Sequence, residues 1–204
     1  MINHNCDSQA EAGRKNRVKP PFKLKEVWAI RFILSQTKRT RDLALFDLAI
    51  DSKLRGCDLI KIRVSDIASM GEVFSRASVV QQKTGKPVKF ELTHDTRRAI
   101  REWILKADLT SNDFLFPSRI RMSPHISTRQ YTRLVKSWAK SIGLNPSEYG
   151  THSLRRTKVT IIYRQTRNLR AIQLLLGHSK LESTVRYLGV EVEDALDLAE
   201  QTDV

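Results

Sequence analysis

Apolar residues recur at helical spacing along most of this chain. The period is clearest between Ser127 and Gly143. One face of that stretch carries Tyr131, Leu134, Val135, Trp138 and Ile142. Ser127 and Gln130 predict a capping box at the start of a helix, and Gly143 predicts its end. A stripe of this kind is typical of packing against a core, so we assign it no ligand.

Further helices are predicted earlier in the chain. The apolar pattern indicates helices over residues 24–35, 40–52 and 54–62. Another helix is predicted to begin after Thr93, a residue suited to a helix N-cap. Its core face comprises Ala99, Ile100, Trp103 and Ile104.

The period changes to two in the middle of the chain. Residues 73–83 are rich in β-branched side chains, and residues 87–92 alternate between apolar and polar. A glycine turn at Gly85 separates the two runs, so the pattern predicts a small antiparallel β-hairpin. Lys83 and Lys86 flank this turn, from which a lysine reaches outward. The expected fold class is mainly α with a small antiparallel hairpin or sheet (α+β).

A strongly basic helix is predicted after the break at Asn145-Pro146. On a helical wheel, His152, Arg155 and Arg156 fall together, opposite an apolar side that includes Leu154. We therefore expect this helix to bury one side and to expose a cationic one.

The following helix ends at Gly177, which is placed as a left-handed terminator after Leu176. That turn would direct His178 at a fixed angle into a neighbouring cleft. Tyr187 follows in a short segment that begins near Leu181.

The net charge indicates the class of molecule that this chain binds. The chain has 204 residues, a formal net charge of +14 and a pI near 10.1. One well-cored domain with short appendages fits this length. Such an excess of positive charge attracts polyanions, so nucleic acid is the leading expected partner.

The composition divides the chain into three parts: a basic arm over residues 1–23, a central domain over 24–188, and an acidic, amphipathic tail over 189–204. The basic residues of the arm that we expect to contact DNA are Arg14, Lys15, Arg17 and Lys19. A solvated tail would have the same composition, and the sequence does not separate the two readings.

Several classes of protein are disfavoured. The sequence has no apolar run long enough to span a bilayer, no lipidation motif and no secretory signal, so we expect a cytosolic protein. Cys6 and Cys57 stand in unrelated contexts. We therefore expect two reduced thiols, with neither a disulfide framework nor a metal site.

Six separated positions together resemble the catalytic set of the tyrosine recombinases, the phage integrase family. They are Arg55, Lys83, His152, Arg155, His178 and Tyr187. Asp58, three residues after Arg55, resembles the supporting acidic residue of that set. Order and context agree over about residues 24–188, which would form the catalytic domain. The resemblance implies the tyrosine recombinase catalytic-domain fold.

The resemblance implies a site-specific recombinase that breaks and rejoins DNA without metal or cofactor. Tyr187 would attack phosphorus and store the energy of the ester in a 3′-phosphotyrosyl bond. Arg55 and Arg155 would grip the two non-bridging oxygens, because planar guanidiniums match them with paired hydrogen bonds. His178 would donate a further hydrogen bond to the same phosphate.

The resemblance also implies two proton carriers. Lys83 would act as general acid to the departing 5′ oxygen, and His152 would assist the proton balance on the tyrosine. Asp58 shares a helix face with Arg55 and would steer it, although an ordinary surface ion pair has the same spacing.

Two departures from the family pattern affect these expectations. The family usually has a glycine two residues before its first arginine, where this chain has Lys53. Most members also carry a separate DNA-clamping domain before the catalytic one, so the chain is similar to the short members that invert fimbrial promoters. We therefore expect the arm, together with Lys86 and Arg156, to contribute to the grip on DNA.

The implied assembly is a homo-oligomer on DNA. Four protomers on two sites would exchange strands in two rounds through a Holliday junction, and an accessory DNA-bending protein is a further expected partner. The tail over residues 189–204 would pass to a neighbouring subunit or pack within its own. The resemblance implies a cytoplasmic protein of the bacterial nucleoid, or one encoded by a phage or plasmid.

Three other functions stay open on the sequence. A relaxase resembling type IB topoisomerases would use the same nucleophile but rejoin the original strand. A DNA-binding regulator would keep the fold without useful catalysis. A metal-dependent nuclease would use Asp47, Asp51 and Asp58, but carboxylates four residues apart on a helix are usually just solvated.

Overall fold

Helices make up most of what the computed structural model describes, namely residues 19–120, 123–188 and 200. The helices are α1 (Leu24–Gln36), α2 (Thr40–Ser52), α3 (Gly56–Leu59), α4 (Val64–Ile67), α5 (His94–Lys106), α6 (Thr128–Ser141), α7 (Thr151–Thr166), α8 (Leu169–Leu176) and α9 (Leu181–Leu188). The strands are β1 (Ala68–Ser69), β2 (Glu72–Val73), β3 (Arg76–Val80) and β4 (Pro87–Glu91). Both strand pairs are antiparallel, so the predicted α+β class is confirmed.

Two short ladders stand where the sequence predicts one hairpin. Val73 pairs with Ala68 in the ladder of β1 and β2. The ladder of β3 and β4 begins at Arg76 and ends at Val80. The predicted strand over residues 73–83 is therefore wrong at both ends. Val73 has a partner nearer along the chain, and turn hydrogen bonds begin directly after Val80.

The helix predicted over residues 54–62 is a single turn, α3. Lys53, after α2, has a left-handed backbone (φ 55°) and Arg55 an extended one, so the helix begins late. At its other end the carbonyl of Ile62 accepts the N–H of Leu115 at 2.8 Å, which draws the chain out of the helix. Glycine adopts a left-handed backbone without strain, which accounts for the glycine of the family pattern at the position of Lys53.

The centre of the core is α2, which packs against α1, α5, α7 and β4. Phe46 of α2 is fully buried, and its ring meets that of Trp138 edge-on with centroids 5.4 Å apart. Burial of a side chain of this size stabilises the fold by roughly 2–3 kcal/mol. The predicted core stripe of α6 is confirmed for Tyr131, Leu134, Val135 and Trp138, which are all buried.

A second apolar cluster joins the last three helices. Val159 and Tyr163 of α7 are buried in it together with Ile172 and Leu176 of α8. Tyr187 of α9 packs against this cluster. Apolar contacts therefore hold α9 to the two helices before it.

Helix ends follow the predicted signals in part. The hydroxyl of Ser127 accepts the N–H of Gln130 at 3.1 Å, so Ser127 caps α6 as predicted. The return bond from the Ser127 N–H to the Gln130 side chain, which a capping box also requires, does not occur in the described part of the chain. Gly143 follows α6 with a positive φ of 78°. Thr93 holds the predicted N-cap position of α5, but its hydroxyl donates to Asp51 and does not accept a helix N–H.

Charged side chains tie the end of α2 to β4 and α7. We call this group, Asp51, Lys53, Glu91 and Lys158, the Asp51 cluster. The Nζ of Lys158 lies 2.6 Å from Asp51 Oδ1 and 2.7 Å from Glu91 Oε1. The Nζ of Lys53 lies 3.0 Å from Glu91 Oε1. Asp51 and Lys53 are buried, whereas Lys158 and Glu91 are partly exposed.

Both predicted appendages fall mainly outside the described residues. Arg14, Lys15 and Arg17 belong to residues 1–18, and of the tail only residue 200 is described. Among the helices that the structure does describe, none is both long and apolar enough to cross a bilayer.

Candidate active site

The first half of α7 is buried on nearly every side. Residues 153–157 are all buried, and Arg155 and Arg156 are only 3% and 6% exposed. The predicted exposed cationic face is therefore wrong, because of its three members only His152 is exposed. The reason is tertiary: α8 and α9 pack over the side of α7 that the helical wheel assigns to water.

Arg156 holds two distant segments together. Its Nη1 donates to the carbonyl of Lys19 at 2.9 Å, and its Nη2 donates to the carbonyl of Leu188 at 3.3 Å. Leu188 directly follows Tyr187, so Arg156 fixes the end of α9. Arg156 is thus buried and engaged with protein carbonyls, and its predicted contact with DNA stays a prediction.

Arg55 and Arg155 come from distant parts of the chain. They are linked through Gln81 and the carbonyl of Leu176 at the end of α8. Half-buried Arg55 donates from Nη1 to Oε1 of Gln81. Arg155 donates from Nη2 to the carbonyl of Leu176 at 3.0 Å, and Gln81 donates to that carbonyl from Nε2 at 3.3 Å. Burial, together with the nearby charge of Arg55, lowers the pKa of Arg155.

The carboxylate of Asp58 is not paired with the guanidinium of Arg55. Its side chain is buried, and Oδ1 accepts the backbone N–H of Gln82 at 3.0 Å. Among the described residues the carboxylate of Asp58 forms no hydrogen bond or salt bridge with the guanidinium of Arg55, so the predicted side-chain pair is wrong. The link between the two residues is in the backbone, where the N–H of Asp58 donates to the carbonyl of Arg55 at 3.0 Å. Asp58 instead fastens α3 to the turn that follows β3.

The turn that presents His178 requires glycine. Gly177 has a φ of 65°, which confirms the predicted left-handed terminator. A Cβ at Gly177 would lie 2.6 Å from Cγ2 of Val88. Both the backbone conformation and the close approach of β4 therefore exclude a side chain here.

The imidazole of His178 is held and kept neutral. Its Nδ1 lies 3.1 Å from the hydroxyl of Thr184, a fully buried residue of α9. Burial and the charges of Arg155 and Arg55 lower the pKa of His178 to about 4. Near neutral pH the ring therefore carries one N–H and no charge.

Tyr187 lies beneath two arginines. Its ring centroid is 5.5 Å from Cζ of Arg155 and 5.5 Å from Cζ of Arg156. The ring of His178 meets it edge-on with centroids 5.5 Å apart. Its hydroxyl is buried and has no hydrogen-bond partner within the described part of the chain. Burial raises the pKa of Tyr187 to about 12, against the charges of Arg155, Arg156 and Arg55.

A cavity of about 690 Å³ opens beside Tyr187. Its lining includes Lys19, His152, Arg156, Lys180 and Tyr187. His152 is exposed at the rim, where partial burial and the charges of neighbouring arginines lower its pKa. Lys19, which the sequence assigns to the arm, reaches this cavity.

Lys83 and Lys86 lie on the turn between β3 and β4. The carbonyl of Gln81 accepts the N–H groups of Thr84 at 3.3 Å and Gly85 at 2.8 Å, which closes the turn. Both lysines are exposed. Lys83 therefore stands exposed on a turn that is anchored by Gln81, whereas Tyr187 is buried.

The three carboxylates of the nuclease alternative face different partners. Asp47 accepts from Arg31 at 2.6 Å, and Asp51 accepts from Lys158 at 2.6 Å. Asp58 serves the turn after β3, as described above. No group of three or more metal-ligating side chains occurs in the described ranges. These carboxylates do not converge on a shared point.

Sequence reasoning missed Gln81 and Thr184. A signal for Gln81 is present, because the alternation of β3 continues inward through Ala77 and Val79 to this amide. A polar side chain on a buried strand face needs partners. Thr184 has no such signal, because its partner is the ring of His178 and only the packing of α9 on α8 brings the two together.

The fold is that of a known class of DNA enzymes. A family model described as the Phage integrase family matches residues 24–193, which is most of the chain. The chain belongs to the phage integrase family. Its fold is that of a tyrosine recombinase catalytic domain, as the sequence predicts.

Similar proteins are recombinases and integrases. Probable integrase/recombinase YoeC of Bacillus subtilis is 30% identical, over 85% of this chain and 91% of the relative. A tyrosine recombinase of Pseudothermotoga lettingae is 29% identical over 78% of this chain and 53% of the relative. Tyrosine recombinase XerD of Rhizobium meliloti is 28% identical over 77% of this chain and 50% of the relative. The chain thus spans about half the length of the last two relatives.

Solved structures agree on the fold. The XerA recombinase superimposes with a TM-score of 0.73 at 22% identity, covering 91% of this chain and 66% of that one. The XerH recombinase, bound to a palindromic difH substrate after cleavage, superimposes with a TM-score of 0.71 at 18% identity. That match covers 90% of this chain and 53% of XerH.

Proposed function

We propose that this chain is a site-specific DNA recombinase that acts through a phosphotyrosyl intermediate. The observation that supports it most is the buried hydroxyl of Tyr187 beneath Arg155 and Arg156, which has no hydrogen-bond partner among the described residues. Leaving a buried polar atom without a partner costs free energy, so such atoms often mark a functional site. The net charge of +14 supports double-stranded DNA as the substrate.

In this proposal the scissile phosphate approaches Tyr187 beside Arg155 and His178, which both lie against its ring. Arg55 and Arg155 hold its non-bridging oxygens through charge-assisted hydrogen bonds. The Nε of Arg155 is buried and unpaired among the described residues, so a phosphate oxygen would supply its missing acceptor. When Nδ1 of His178 accepts from Thr184, the opposite Nε2–H is free to donate to the phosphate.

Two proton transfers accompany cleavage. The bond from Tyr187 Oη to phosphorus forms as the bond from phosphorus to the 5′ oxygen breaks. The phenolic proton passes to neutral His152, and Lys83 gives a proton to the departing 5′ oxygen. The 5′ hydroxyl of a partner duplex then attacks the 3′-phosphotyrosyl bond and releases the tyrosine.

We further propose that strand exchange takes place among four protomers on two DNA sites. Each active site cleaves one strand, so exchange between two duplexes uses four. The XerH structure contains its difH substrate, and lambda integrase was solved as a dimer bound to a core site. In this chain Lys86 and the arm before Lys19 would contact phosphates beside the cleaved bond.

Covalent capture tests the proposal. The protein is incubated with nicked duplexes of randomised core sequence, whose short fragment is lost after cleavage so that the intermediate accumulates. We expect DNA that stays attached in denaturant and maps to the peptide that contains Tyr187. Tyr187→Phe should form no adduct. Tyr163→Phe, a matched change in the second apolar cluster, should retain it.

The outcomes separate the remaining functions. Absence of an adduct in the wild type, with DNA binding intact, would overturn the proposal in favour of a regulator. An adduct of equal yield in Tyr187→Phe would also overturn it. Plasmids that carry the recovered sequence should give recombinant joints, whereas supercoil relaxation without joints would indicate a topoisomerase-like relaxase.

A further inference from the structure

Gln81 is a fully buried amide at the end of β3. Its Oε1 accepts from Nη1 of Arg55 and from the hydroxyl of Thr84, the latter at 3.1 Å. Its Nε2 donates to the carbonyl of Leu176 at 3.3 Å. A buried amide is tolerated where it is hydrogen-bonded, and both ends of this one are engaged.

The carbonyl of Leu176 completes a path between the two arginines. It accepts from Nε2 of Gln81 and from Nη2 of Arg155 at 3.0 Å. The hydrogen bonds therefore run without a break from Arg55 through Gln81 and the Leu176 carbonyl to Arg155. A shift of the amide would move one guanidinium relative to the other.

The same residue supports the turns that carry two other site residues. Its carbonyl accepts the N–H of Gly85 at 2.8 Å in the turn that bears Lys83. A Cβ placed on Gly177 would lie 3.4 Å from its Nε2, so the amide packs beneath the turn that presents His178. Gln81 is therefore in contact with three of the segments that form the site.

We infer that Gln81 is a positioning residue that sets the separation and orientation of Arg55 and Arg155 toward the scissile phosphate. Its amide oxygen engages one N–H of Arg55 and leaves the other donors for the phosphate. Because the amide is neutral, it orients the guanidinium and leaves its positive charge in place. A carboxylate at the same position would neutralise that charge. The inference rests on the proposed function, to which it adds a residue outside the six-residue catalytic set.

The first test compares two neighbouring glutamines. Gln81→Met keeps the size of the side chain and loses its hydrogen bonds. We expect adduct formation on the recovered nicked duplex to slow by roughly 100-fold, because a misplaced phosphate grip loses orientation. Gln82→Met is the matched control, since Gln82 is exposed and its side chain contacts Lys61 and the Cys57 carbonyl. That variant should stay within about 3-fold of the wild type.

A change of substrate separates positioning from loss of structure. A methylphosphonate at the scissile position has a methyl group in place of one charged oxygen. Its cleavage therefore depends less on charge stabilisation by the two arginines. The deficit of Gln81→Met should shrink to roughly 10-fold on this substrate. A partly unfolded protein would lose the same factor on both substrates. Equal deficits on both, or a wild-type rate on the phosphodiester, would overturn the inference.

A phosphate probe decides the inference independently of cleavage. Protein labelled with ¹⁵N-arginine is titrated with inorganic phosphate, and the Nε–H signals of Arg55 and Arg155 are followed. In the wild type both should shift with one affinity, which should weaken roughly 10-fold in Gln81→Met and stay unchanged in Gln82→Met. Unchanged affinity in Gln81→Met, or no phosphate binding by the wild-type pair, would overturn the inference. Phosphate binding without any adduct would overturn only the recombinase proposal.

Discussion

The fold shifts the pKa values of single residues in the site. Burial makes the phenol of Tyr187 a weaker acid, and its pKa rises to about 12. His178 and His152 shift the other way, because burial and the nearby guanidiniums disfavour their charged forms. The free protein therefore holds a neutral nucleophile and neutral imidazoles among permanent cations. A phosphodiester entering the site meets the positive charges of Arg55, Arg155 and Arg156 beside Tyr187.

This arrangement predicts how cleavage depends on pH. His152 accepts a proton only when neutral, and its pKa lies below the usual 6.5. At low DNA concentration the rate of adduct formation should rise as pH passes upward through that lowered pKa and then level off. In His152→Gln the rate should keep rising with pH, because only ionised Tyr187 attacks and its pKa is about 12.

Initial rates from about pH 5 to about pH 9 check this prediction in both proteins. Thermal unfolding at the same pH values serves as the control for folding. A plateau in His152→Gln at the same pH as in the wild type would show that another group takes the phenolic proton.

Among the elements, turns decide where the site residues lie. The turn after α8 directs His178, and the turn after β3 carries Lys83. The single-turn helix α3 presents Arg55 because Lys53 ends α2 in a left-handed conformation. Each of these segments is short, so its geometry depends on contacts with other elements more than on its own hydrogen bonds.

Gly177, in the turn after α8, and Gly143, after α6, form a matched pair for substitution. Gly177 and Gly143 both have positive φ, but a Cβ meets Val88 at 2.6 Å only at Gly177 and meets nothing within 4 Å at Gly143. Gly143→Ala should therefore cost about 1 kcal/mol from backbone strain alone and keep adduct formation. Gly177→Ala should lose more stability and also cleave more slowly, because His178 moves.

Urea unfolding and single-turnover adduct formation measure the two effects. The informative comparison is cleavage by folded protein at a temperature well below both unfolding transitions. Equal cleavage rates for Gly177→Ala and Gly143→Ala would show that the close approach of β4 does not position His178.

At the scale of the whole molecule, the Asp51 cluster joins the segment that carries Arg55 to α7, which carries Arg155. Lys53 stands two residues before Arg55, and Lys158 stands three residues after Arg155 on α7. Both ammonium groups contact Glu91 of β4. Lys53 thus replaces the glycine of the family pattern with a buried charge that the surrounding fold pairs.

Loss of Lys158 should destabilise the fold. Lys158→Met leaves the buried carboxylate of Asp51 without its ammonium partner, so we expect a loss of about 2 kcal/mol in the free energy of unfolding. Lys136→Met, an exposed change on α6, should cost less than about 0.5 kcal/mol. Urea denaturation at neutral pH measures both values. A loss no larger in Lys158→Met than in Lys136→Met would contradict the role of the cluster.

The sign of the pH effect follows from the carboxylates. Burial alone would raise the pKa of Asp51 and Glu91, but hydrogen bonds from Lys158 and further partners hold both below their usual values. A carboxyl whose folded pKa is lowered stabilises the protein above its unfolded pKa, near 4, and that stability is lost as pH falls through the folded value. The difference in stability between the wild type and Lys158→Met should therefore shrink in acid. A difference that widens below about pH 4 would contradict this assignment.

Local pattern was sufficient for the features that depend on a residue and its near neighbours. The apolar stripe of α6, the cap at Ser127 and the left-handed Gly177 all follow from side-chain spacing and backbone preference within one turn. The α+β class and the family also follow from the order of short motifs. For these features the structure confirms what spacing along the chain predicts.

Long-range packing settled the rest, because the partners lie far apart in sequence. Arg156 looks exposed on a helical wheel, and it is buried because α8 and α9 cover that side of α7. Asp58 shares a helix face with Arg55 but accepts the N–H of Gln82. Gln82 lies beside Asp58 only because of the path that β3 takes in the fold. The buried amide of Gln81 has an alternation signal, but its bonds to Arg55 and to the Leu176 carbonyl exist only once the hairpin, α3 and α8 have met. Spacing along a chain reports which side of an element a residue occupies, whereas its partner depends on which element packs there.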